Sequence, residues 1–420
     1  MPQPALWVVG FKKQAGYGFA MSKTEIPRHL GTLTADWLDQ ALRREGVIAG
    51  PKIERFEIEK LGEGAGFMGE TARLRLFYEG KAESSPASVV VKIPTEVRKL
   101  RAAGEALGLY EREIYFYSEL ASRMPVRLPR CHFGAMDDRP FGSPEKDTES
   151  LAALERAPRW VFAVIVFLGP WLTRLSRRRY VLILEDLAPA RLGDQVTETS
   201  EKDIQGALTS LARIHAECWN DSKVKGLPWI HPVDSAPRMN TYLLGRGRRH
   251  FEATFDRDLP KDAAVLLDWL EGNQAEIQAR LSRPPCTLIH GDYRLDNLFF
   301  DDSTGDGLAI VSDWQVPSWG RGVCDLAYFL SGTLDAGLSM EDAYPYVDAY
   351  HAQIESFRGG EYTLQECRND YRLALFLVLG RVVSSFGEIE IKNERAASLF
   401  HVWVERAFAR LRGVDLSSLL

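Results

Sequence analysis

The sequence lacks the features that mark several broad classes of protein. Its five cysteines are odd in number and form no CxxC pair, so we expect a reduced, cytoplasmic chain with buried thiols rather than a disulfide framework. There are 52 Lys and Arg residues against 58 Asp and Glu, and the net charge is −6. This mildly acidic balance argues against nucleic-acid binding. No internal repeat or low-complexity tract is present.

Long apolar runs are also missing. The most apolar segment, Trp160–Leu172, is well short of the roughly 20 residues that span a bilayer. At the start of the chain a short apolar run precedes the first lysines, which is the reverse of a secretory signal. We expect residues 1–32 to be a flexible extension, poorly ordered over Met1–Ala20, with Met21 as a candidate for the true start.

The residue patterns divide the chain near Leu187. Before it, a short helix follows Leu33, with Thr34 as its cap and Gly46 as its stop. Alternating apolar residues then predict a series of strands with one helix among them. We therefore expect a β-rich N-terminal lobe over residues 33–187.

After Leu187 the apolar residues follow helical spacing. "TSEKDIQGALTSLARIHAECW" begins with a capping box of Ser200 and Asp203. Two further helices are predicted at 369–386 and 394–411, and short strands surround a polar loop between them and the first helix. We expect a mostly helical C-terminal lobe over residues 188–420, and thus an α+β fold.

One segment, residues 138–178, interrupts two strands that would otherwise form a hairpin. It contains "WVFAVIVFLGPWL" with arginines on both sides. This is either a helix buried in the protein or against a second subunit, or an element lying in an anionic membrane surface. Gly169-Pro170 should break any helix there.

A glycine cluster follows the first strand. Gly64, Gly66 and Gly69 satisfy GxGxxG, which is a weak signal alone. A dinucleotide-binding turn would lead into a helix, whereas this cluster leads into the alternating "TARLRLFY". A Gly-rich hairpin over a phosphate is the arrangement of kinases, and an ordinary glycine-rich loop is the alternative. No Lys-Ser or Lys-Thr closes the pattern, which excludes a Walker A loop.

Lys92 ends a strand of three valines. A lysine on a buried strand needs an anionic partner, and Glu113, about one helix further on, is the candidate. Such a pair can hold the phosphates of a nucleotide. The alternative is a lysine that reaches the surface at the strand end.

The polar loop is "LIHGDYRLDNLFF", Leu288 to Phe300. It places Asp292 and Asn297 between apolar strands, and a second hairpin strand, "LAIVSDW", ends at Asp313. Phosphoryl transfer needs a carboxylate to orient the attacking hydroxyl and oxygen ligands to hold Mg²⁺ against the phosphates. These three side chains supply that set.

"HGDYRLDN" resembles the HGDxxxxN catalytic loop of the aminoglycoside phosphotransferase and choline kinase superfamily, relatives of protein kinases. "LILEDL", "LARIHAECW" followed by "LPWI", and "SDWQ" point to its ecdysteroid-kinase-like branch and bacterial relatives. The resemblance covers roughly Leu33 to Leu411. It implies a bilobal, protein-kinase-like α+β fold with a β-rich N-lobe that has one helix and a mostly helical C-lobe.

The resemblance implies a role for each matched residue near the transferred phosphate. Asp292 orients the acceptor hydroxyl and accepts its proton, while Asn297 and Asp313 ligate Mg²⁺. Arg294 stands where protein kinases keep a lysine that touches the transferred phosphate, and charge on the phosphoryl oxygens favours a cation there. The alternative for Arg294 is a surface arginine that pairs with Asp296.

On the nucleotide side, the resemblance implies ATP as the cofactor. Lys92 pairs with Glu113 and reaches the phosphates, which the glycine loop covers. The adenine would bind the backbone of a hinge formed by Glu185, Asp186 and Leu187. His290 and Asp325 are expected to hold the catalytic loop in place without a chemical role.

Two departures from the protein-kinase pattern bear on the substrate. Trp314 and Gln315 replace Phe-Gly, and no Ala-Pro-Glu signature follows, so no protein substrate is expected. The acceptor should lie between the catalytic loop and the C-terminal helices. Aromatic residues that either line this site or simply pack in the core are Trp219, Trp319, Tyr328 and Trp403.

The sequence therefore predicts an ATP- and Mg²⁺-dependent phosphotransferase acting on a small-molecule hydroxyl group. A hydrophobic alcohol such as a steroid or terpenoid suits the aromatic-rich second half. An aminoglycoside-type antibiotic is the alternative acceptor, although a polycation calls for an acidic cleft and the acid excess is small. The competing hypothesis is that the chain is a binding protein and not an enzyme: a non-catalytic, pseudokinase-like module that binds a nucleotide.

Overall fold

The computed structural model of the chain describes residues 26–61, 69–139, 142–173, 178–197, 199–255, 259–358, 360, 362–386 and 394–420. Strands dominate the core of the first part and helices the second, so the predicted α+β class is confirmed. The expected disorder of Met1–Ala20 and the positions of Gly64 and Gly66 lie outside the described residues.

The first lobe is built on a five-stranded antiparallel sheet with the strand order β1-β2-β3-β5-β4. Side chains alternate between the two faces of a strand, and in β3 Val89 and Val91 are buried on one face. Lys92 therefore points to the other face. The strands are β1 (Ile53–Leu61), β2 (Gly69–Tyr78), β3 (Ser88–Pro94), β4 (Cys131–Met136) and β5 (Tyr180–Glu185).

Helix α1 (Ala35–Arg44) covers the valine face of this sheet. Its start is as predicted, because the Thr34 hydroxyl accepts a hydrogen bond from the Trp37 N–H at 3.2 Å. Gly46 ends the helical turn with a φ of +70°, a conformation that costs glycine little.

Two helices replace the single helix predicted between β3 and β4. They are α2 (Arg98–Ala106) and α3 (Leu109–Glu119). Gly108 separates them because it takes a φ of +66°, and a left-handed residue cannot continue a right-handed helix. The interruption lets α3 set its own direction, with Glu113 on the Lys92 face of the sheet.

Residues 138–178 separate β4 from β5, which pair as the predicted hairpin from Met136 and Tyr180 onward. The segment contains α4 (Pro144–Arg156) and α5 (Arg159–Thr173). The predicted break at Gly169-Pro170 is wrong, since α5 continues to Thr173. A proline inside a helix removes one hydrogen bond and weakens the helix without having to end it, and α5 is supported by its packing on α2 and α8.

The second lobe is mostly helical, as predicted, with two small three-stranded sheets of order β10-β9-β6 and β7-β11-β8. The side chain of Ser200 caps its first long helix by accepting from the Asp203 N–H at 3.2 Å. Among the described residues, no helix is both long enough and apolar enough to cross a membrane. The elements are β6 (Arg191–Leu192), α6 (Glu201–Glu217), α7 (Ser222–Lys225), β7 (His231–Pro232), α8 (Pro237–Phe255), α9 (Ala263–Leu281), β8 (Thr287–Ile289), β9 (Leu298–Phe300), β10 (Ala309–Val311), β11 (Ser318–Gly320), α10 (Val323–Thr333), α11 (Tyr344–Arg358), α12 (Leu364–Ser385) and α13 (Glu394–Leu411).

Three of these strands position the polar loop. Residues 290–297 connect β8 to β9, and β9 pairs with β10 in the register Leu298 to Val311. One residue further, the Ser312 N–H donates to the Asn297 carbonyl at 3.0 Å. The hairpin thus carries Asp313 to the end of the loop that holds Asp292.

Candidate active site

The polar loop is fixed to the start of α10 by one buried carboxylate. Asp325, 1% exposed, accepts hydrogen bonds from the backbone N–H groups of His290 at 2.6 Å and Gly291 at 2.9 Å. Its Oδ2 atom also lies 3.3 Å from Nε2 of His215. Gly291 has a φ of +81°, and a Cβ atom there would meet the Val316 carbonyl oxygen at 2.2 Å. Asp325 therefore lies where an anchor of the catalytic loop was expected.

The imidazole of His290 is committed to holding the loop. Its Nδ1 atom accepts a hydrogen bond from the Asp292 N–H at 3.1 Å. The proton must then be on Nε2, which donates to the Ser312 carbonyl at 2.9 Å. Burial lowers the pKa of His290, which favours this neutral form. Because neither ring nitrogen is available to a substrate, His290 has a positioning role.

The two carboxylate oxygens of Asp292 face different neighbours. Oδ2 accepts from the Asn297 amide at 2.9 Å and from Arg294 Nε at 3.3 Å. Oδ1 accepts from the Tyr328 hydroxyl at 2.9 Å and lies 3.8 Å from the Arg381 guanidinium. Burial alone would raise the pKa of Asp292, but the two arginines and the tyrosine hold it well below its ordinary value. The carboxylate is thus ionised at neutral pH.

Asn297 and Asp313 each keep an oxygen atom that makes no hydrogen bond with a described residue. The Asn297 amide nitrogen donates to the Asp292 carbonyl at 2.8 Å as well as to its carboxylate, which leaves the amide oxygen as a ligand. Asp313 has a φ of +67°, unusual for a residue with a side chain. Its Oδ1 accepts from Gln315 at 2.7 Å, and Oδ2 makes no hydrogen bond with any described residue. Hard oxygen donors of this kind fit Mg²⁺.

The protein supplies few ligands for a metal by itself. Across the described residues, no three His, Cys, Asp or Glu side chains gather into a group that could hold a metal ion. Mg²⁺ typically binds through one or two carboxylates together with substrate phosphates and water. Asp313 and Asn297 offer one carboxylate and one amide oxygen for binding of this kind.

Lys92 joins the two lobes at this site. Its ammonium group lies 2.6 Å from Oε1 of Glu113 and also contacts Oδ1 of Asp313. Burial raises the pKa of Glu113 and the charge of Lys92 opposes that shift. One lysine therefore contacts two carboxylates in a largely buried setting, so the alternative of a lysine that extends to the surface does not apply.

Trp314 connects α3 to the catalytic loop. Its ring is fully buried and stacks on Phe116 at a centroid distance of 3.9 Å and an interplanar angle of 7°. The other neighbour is the His290 ring at 4.4 Å. Because Phe116 and Glu113 are one turn apart on α3, this stack fixes Glu113 relative to Asp313. The tryptophan that replaces the protein-kinase phenylalanine is therefore a core residue.

The predicted hinge follows β5, and its side chains are used by the fold. The Glu185 carboxylate accepts from the Arg130 N–H at 3.0 Å. The Asp186 carboxylate accepts from Arg73 at 2.7 Å and from Ser88 at 2.6 Å, while Leu187 is buried. These contacts brace the segment against β2 and β3, so any contact with an adenine would use the backbone. Gly69 begins β2.

Arg294 is not the surface residue of the alternative interpretation. Its side chain is 10% exposed and donates to Gln195 at 3.1 Å and Asp296 at 2.9 Å. The guanidinium lies 5.5 Å from the Trp403 ring centroid. The pair with Asp296 is present, but it is buried, and the prediction that Arg294 contacts a transferred phosphate stays a prediction.

Sequence reasoning missed Arg381 and Gln195. Arg381 lies on α12 and donates to the Gly291 carbonyl, 90 positions away in the chain, and no motif links the two. Of the four candidate aromatic residues, Tyr328 and Trp403 lie at the site. The other two pack elsewhere: Trp319 is buried in β11, and Trp219 lies against Tyr362 with ring centroids 5.8 Å apart.

Comparisons with known proteins identify a family and several distant structural neighbours. The model of the ecdysteroid kinase-like family matches residues 63–358, more than half of the chain. A 64-residue stretch is 41% identical to a probable acyl-CoA dehydrogenase of Arabidopsis thaliana, and it covers 15% of this chain and 7% of that protein. This chain thus matches only a small part of that relative's length.

Two solved structures illustrate the structural neighbours. A choline kinase from Cryptosporidium parvum is 10% identical with a TM-score of 0.48, over 86% of this chain and 92% of that one. A macrolide 2'-phosphotransferase from Brachybacterium faecium is 15% identical with a TM-score of 0.39, over 87% and 98% of the two chains.

Proposed function

The chain belongs to the ecdysteroid kinase-like family, and from that premise we propose that it transfers the γ-phosphoryl group of ATP to a hydroxyl group of a small molecule, with Mg²⁺. The membership confirms the superfamily predicted from the HGDYRLDN loop and the enzyme class of a small-molecule phosphotransferase. The observation that supports the proposal is the set of contacts that joins Lys92 to Glu113 and Asp313, and Asn297 to Asp292, where β10 leads Asp313 to the catalytic loop.

In this proposal Asp292 is the catalytic base. Its pKa lies below the ordinary aspartate value, so its ionised carboxylate can accept a hydrogen bond from the acceptor hydroxyl and orient it. The proton passes to Asp292 as the acceptor oxygen bonds to the γ-phosphorus and the bond from that phosphorus to the bridging oxygen of ADP breaks. A low pKa makes Asp292 a weak base but a well-oriented one, which suits phosphoryl transfer because that reaction depends chiefly on positioning and charge stabilisation.

The opposite side of the loop would hold the nucleotide. Asn297 and Asp313 would present oxygen atoms to Mg²⁺, which when bound neutralises charge on the β- and γ-phosphates. Lys92 would exchange its contact with Asp313 for the phosphates while Glu113 keeps the ammonium in place. The glycine loop from Gly64 to Gly69 would cover the phosphates, and the backbone of the hinge would bind the adenine.

For the acceptor we propose a hydroxylated compound with apolar surface, for which a steroid or terpenoid alcohol remains the starting hypothesis. Tyr328 and Trp403 stand beside Asp292 and Arg294 and offer apolar surface of this kind. An aminoglycoside acceptor is less favoured, because the exposed charged group at Asp292 is the cation Arg381 rather than a free carboxylate.

Phosphate transfer by the pure protein tests the proposal. ADP formation is measured with ATP and Mg²⁺ over a panel of hydroxylated compounds, for wild type and for Asp292→Asn, and nucleotide affinity is measured by titration. We expect equal nucleotide affinity and a turnover lower by about 10²–10⁴-fold in the variant, because only proton acceptance and orientation are lost. Nucleotide binding by wild type without transfer to any acceptor would favour the pseudokinase-like module, and equal turnover would remove Asp292 from the mechanism.

A further inference from the structure

The acceptor side of Asp292 carries an arginine that the proposed mechanism does not use. Arg381 lies on α12, and its guanidinium is 4.7 Å above the Tyr328 ring and 3.8 Å from Oδ1 of Asp292. Within the described residues its hydrogen bonding is limited to the Gly291 carbonyl. The side chain is 45% exposed, and the bond to Gly291 uses one of its five N–H donors.

The geometry of Asp292 places Arg381 on the side away from the metal ligands. Asn297 binds Oδ2 of Asp292, whereas Arg381 and Tyr328 approach Oδ1. A hydroxyl that donates to Oδ1 would therefore lie next to the Arg381 guanidinium. Whatever is attached to that hydroxyl lies within reach of the cation.

Two carboxylates, Asp292 and Asp296, lie beside two arginines at this point. Asp292 and Asp296 are each in contact with Arg294, and Asp296 is buried with it. Arg381 adds a second cation beside Asp292 that reaches solvent. A cationic acceptor would approach an exposed guanidinium with both nearby carboxylates already paired, while an anionic group would gain a charge-assisted and potentially bidentate partner.

We propose that Arg381 selects the acceptor, and that the enzyme favours alcohols that carry a carboxylate or similar anionic group close to the reacting hydroxyl. This inference rests on the proposed function of Asp292 as the base. It concerns the polar end of the acceptor only, and an apolar body remains compatible with Tyr328 and Trp403.

A matched set of acceptors tests the inference. The set is 3-hydroxybutanoate, 1,3-butanediol and 3-amino-1-propanol, which pair an alcohol with an anionic, a neutral or a cationic group. Equilibrium binding to the protein with Mg²⁺ and a non-hydrolysable ATP analogue is measured by ligand-observed NMR, and transfer is measured separately as ADP formation. For wild type we expect the anion to bind at least tenfold more tightly than the cation.

Arg381→Gln should reduce that preference to within about threefold, and Arg381→Lys should restore part of it. Arg372→Gln, on the same helix but bonded to Ser418, should leave it unchanged. A purely structural role for Arg381 would weaken all three ligands equally without moving the ratio. A wild-type preference for the cation, no preference, or a ratio unaffected by Arg381→Gln would overturn the inference. Selective binding without any ADP formation would instead contradict the proposed function and leave an anion-binding site.

Discussion

Removing the carboxylate of Asp325 should destabilise the protein and disable the catalytic loop together. In Asp325→Ala the backbone N–H groups of His290 and Gly291 lose their acceptor. Hydrogen bonds to a charged group contribute about 1.5–3 kcal/mol each, and Asp325 accepts two of them from the loop. Because the two N–H groups would stay buried and unpaired, we expect the free energy of unfolding to fall by about 3–5 kcal/mol.

Equilibrium unfolding in urea, followed by tryptophan fluorescence, measures this change. Asp325→Asn provides an intermediate variant, because its amide oxygen can accept from one N–H while its NH₂ group faces the other donor. The control is Asp348→Asn, which breaks an ion pair with Arg368 that is about one-third exposed. Exposed pairs contribute about 0–1 kcal/mol, so the control should unfold close to wild type.

The same variants separate the anchoring of the loop from nucleotide binding. Asp325→Asn should lose more turnover than nucleotide affinity, because Gly291 and Asp292 shift while Lys92 and Glu113 belong to the other lobe. If Asp325→Ala unfolds within about 1 kcal/mol of wild type, the buried carboxylate does not hold the loop and the reasoning from its three contacts is wrong.

Two further outcomes test the metal ligands and the exposed face of α5. Asp313→Ala should weaken Mg²⁺-dependent nucleotide binding more than Asn297→Ala, since a carboxylate offers a full charge and an amide only a dipole; Mg²⁺ titration of both variants checks the order, and a reversed order contradicts the assignment. We expect the protein to co-sediment with anionic liposomes at low salt, because Trp160 and Phe167 are 67% and 76% exposed and can insert into the membrane surface. Replacing Trp160 and Phe167 by serine should abolish the co-sedimentation, whereas the control Val265→Ser on α9 should not. If the wild type stays in the supernatant, the exposed face of α5 does not bind the membrane, and a contact between copies of the chain becomes the remaining hypothesis.

Contact between residues that are close in the chain was predictable. Thr34 caps α1 and Ser200 caps α6 because each hydroxyl needs to reach an N–H only three residues away. The pairing of Lys92 with Glu113 was predictable too, since a lysine on a buried strand requires a counter-charge and the following helix offered one. In each case the physical requirement of one residue limits where its partner can be.

Contacts set by the packing of whole helices were not predictable. One helix was expected where α2 and α3 are separated by Gly108, because a helix tolerates a single glycine at a modest cost and the sequence does not show when the helix stops there. Arg381 looks in the sequence like any arginine on a long helix. The position of α12 is set by its packing against α8, α9, α10, α11 and α13. Its approach to α8 is close, because a Cβ atom on Gly247 would come within 2.4 Å of the Val383 carbonyl oxygen.

The two arginines beside Asp292 show most clearly which contacts could not be predicted from the sequence. The motif predicts a cation beside Asp292 at Arg294, two residues further on, and in the structure the Arg294 guanidinium contacts the Asp292 carboxylate. Spacing could not reveal that Gln195 and Asp296 turn its guanidinium inward, since Gln195 comes from a segment 99 positions away. Once Arg294 is enclosed, the cation that meets solvent beside Asp292 is Arg381. In the proposed acceptor site, the exposed charge beside Asp292 therefore comes from α12 and not from the catalytic motif.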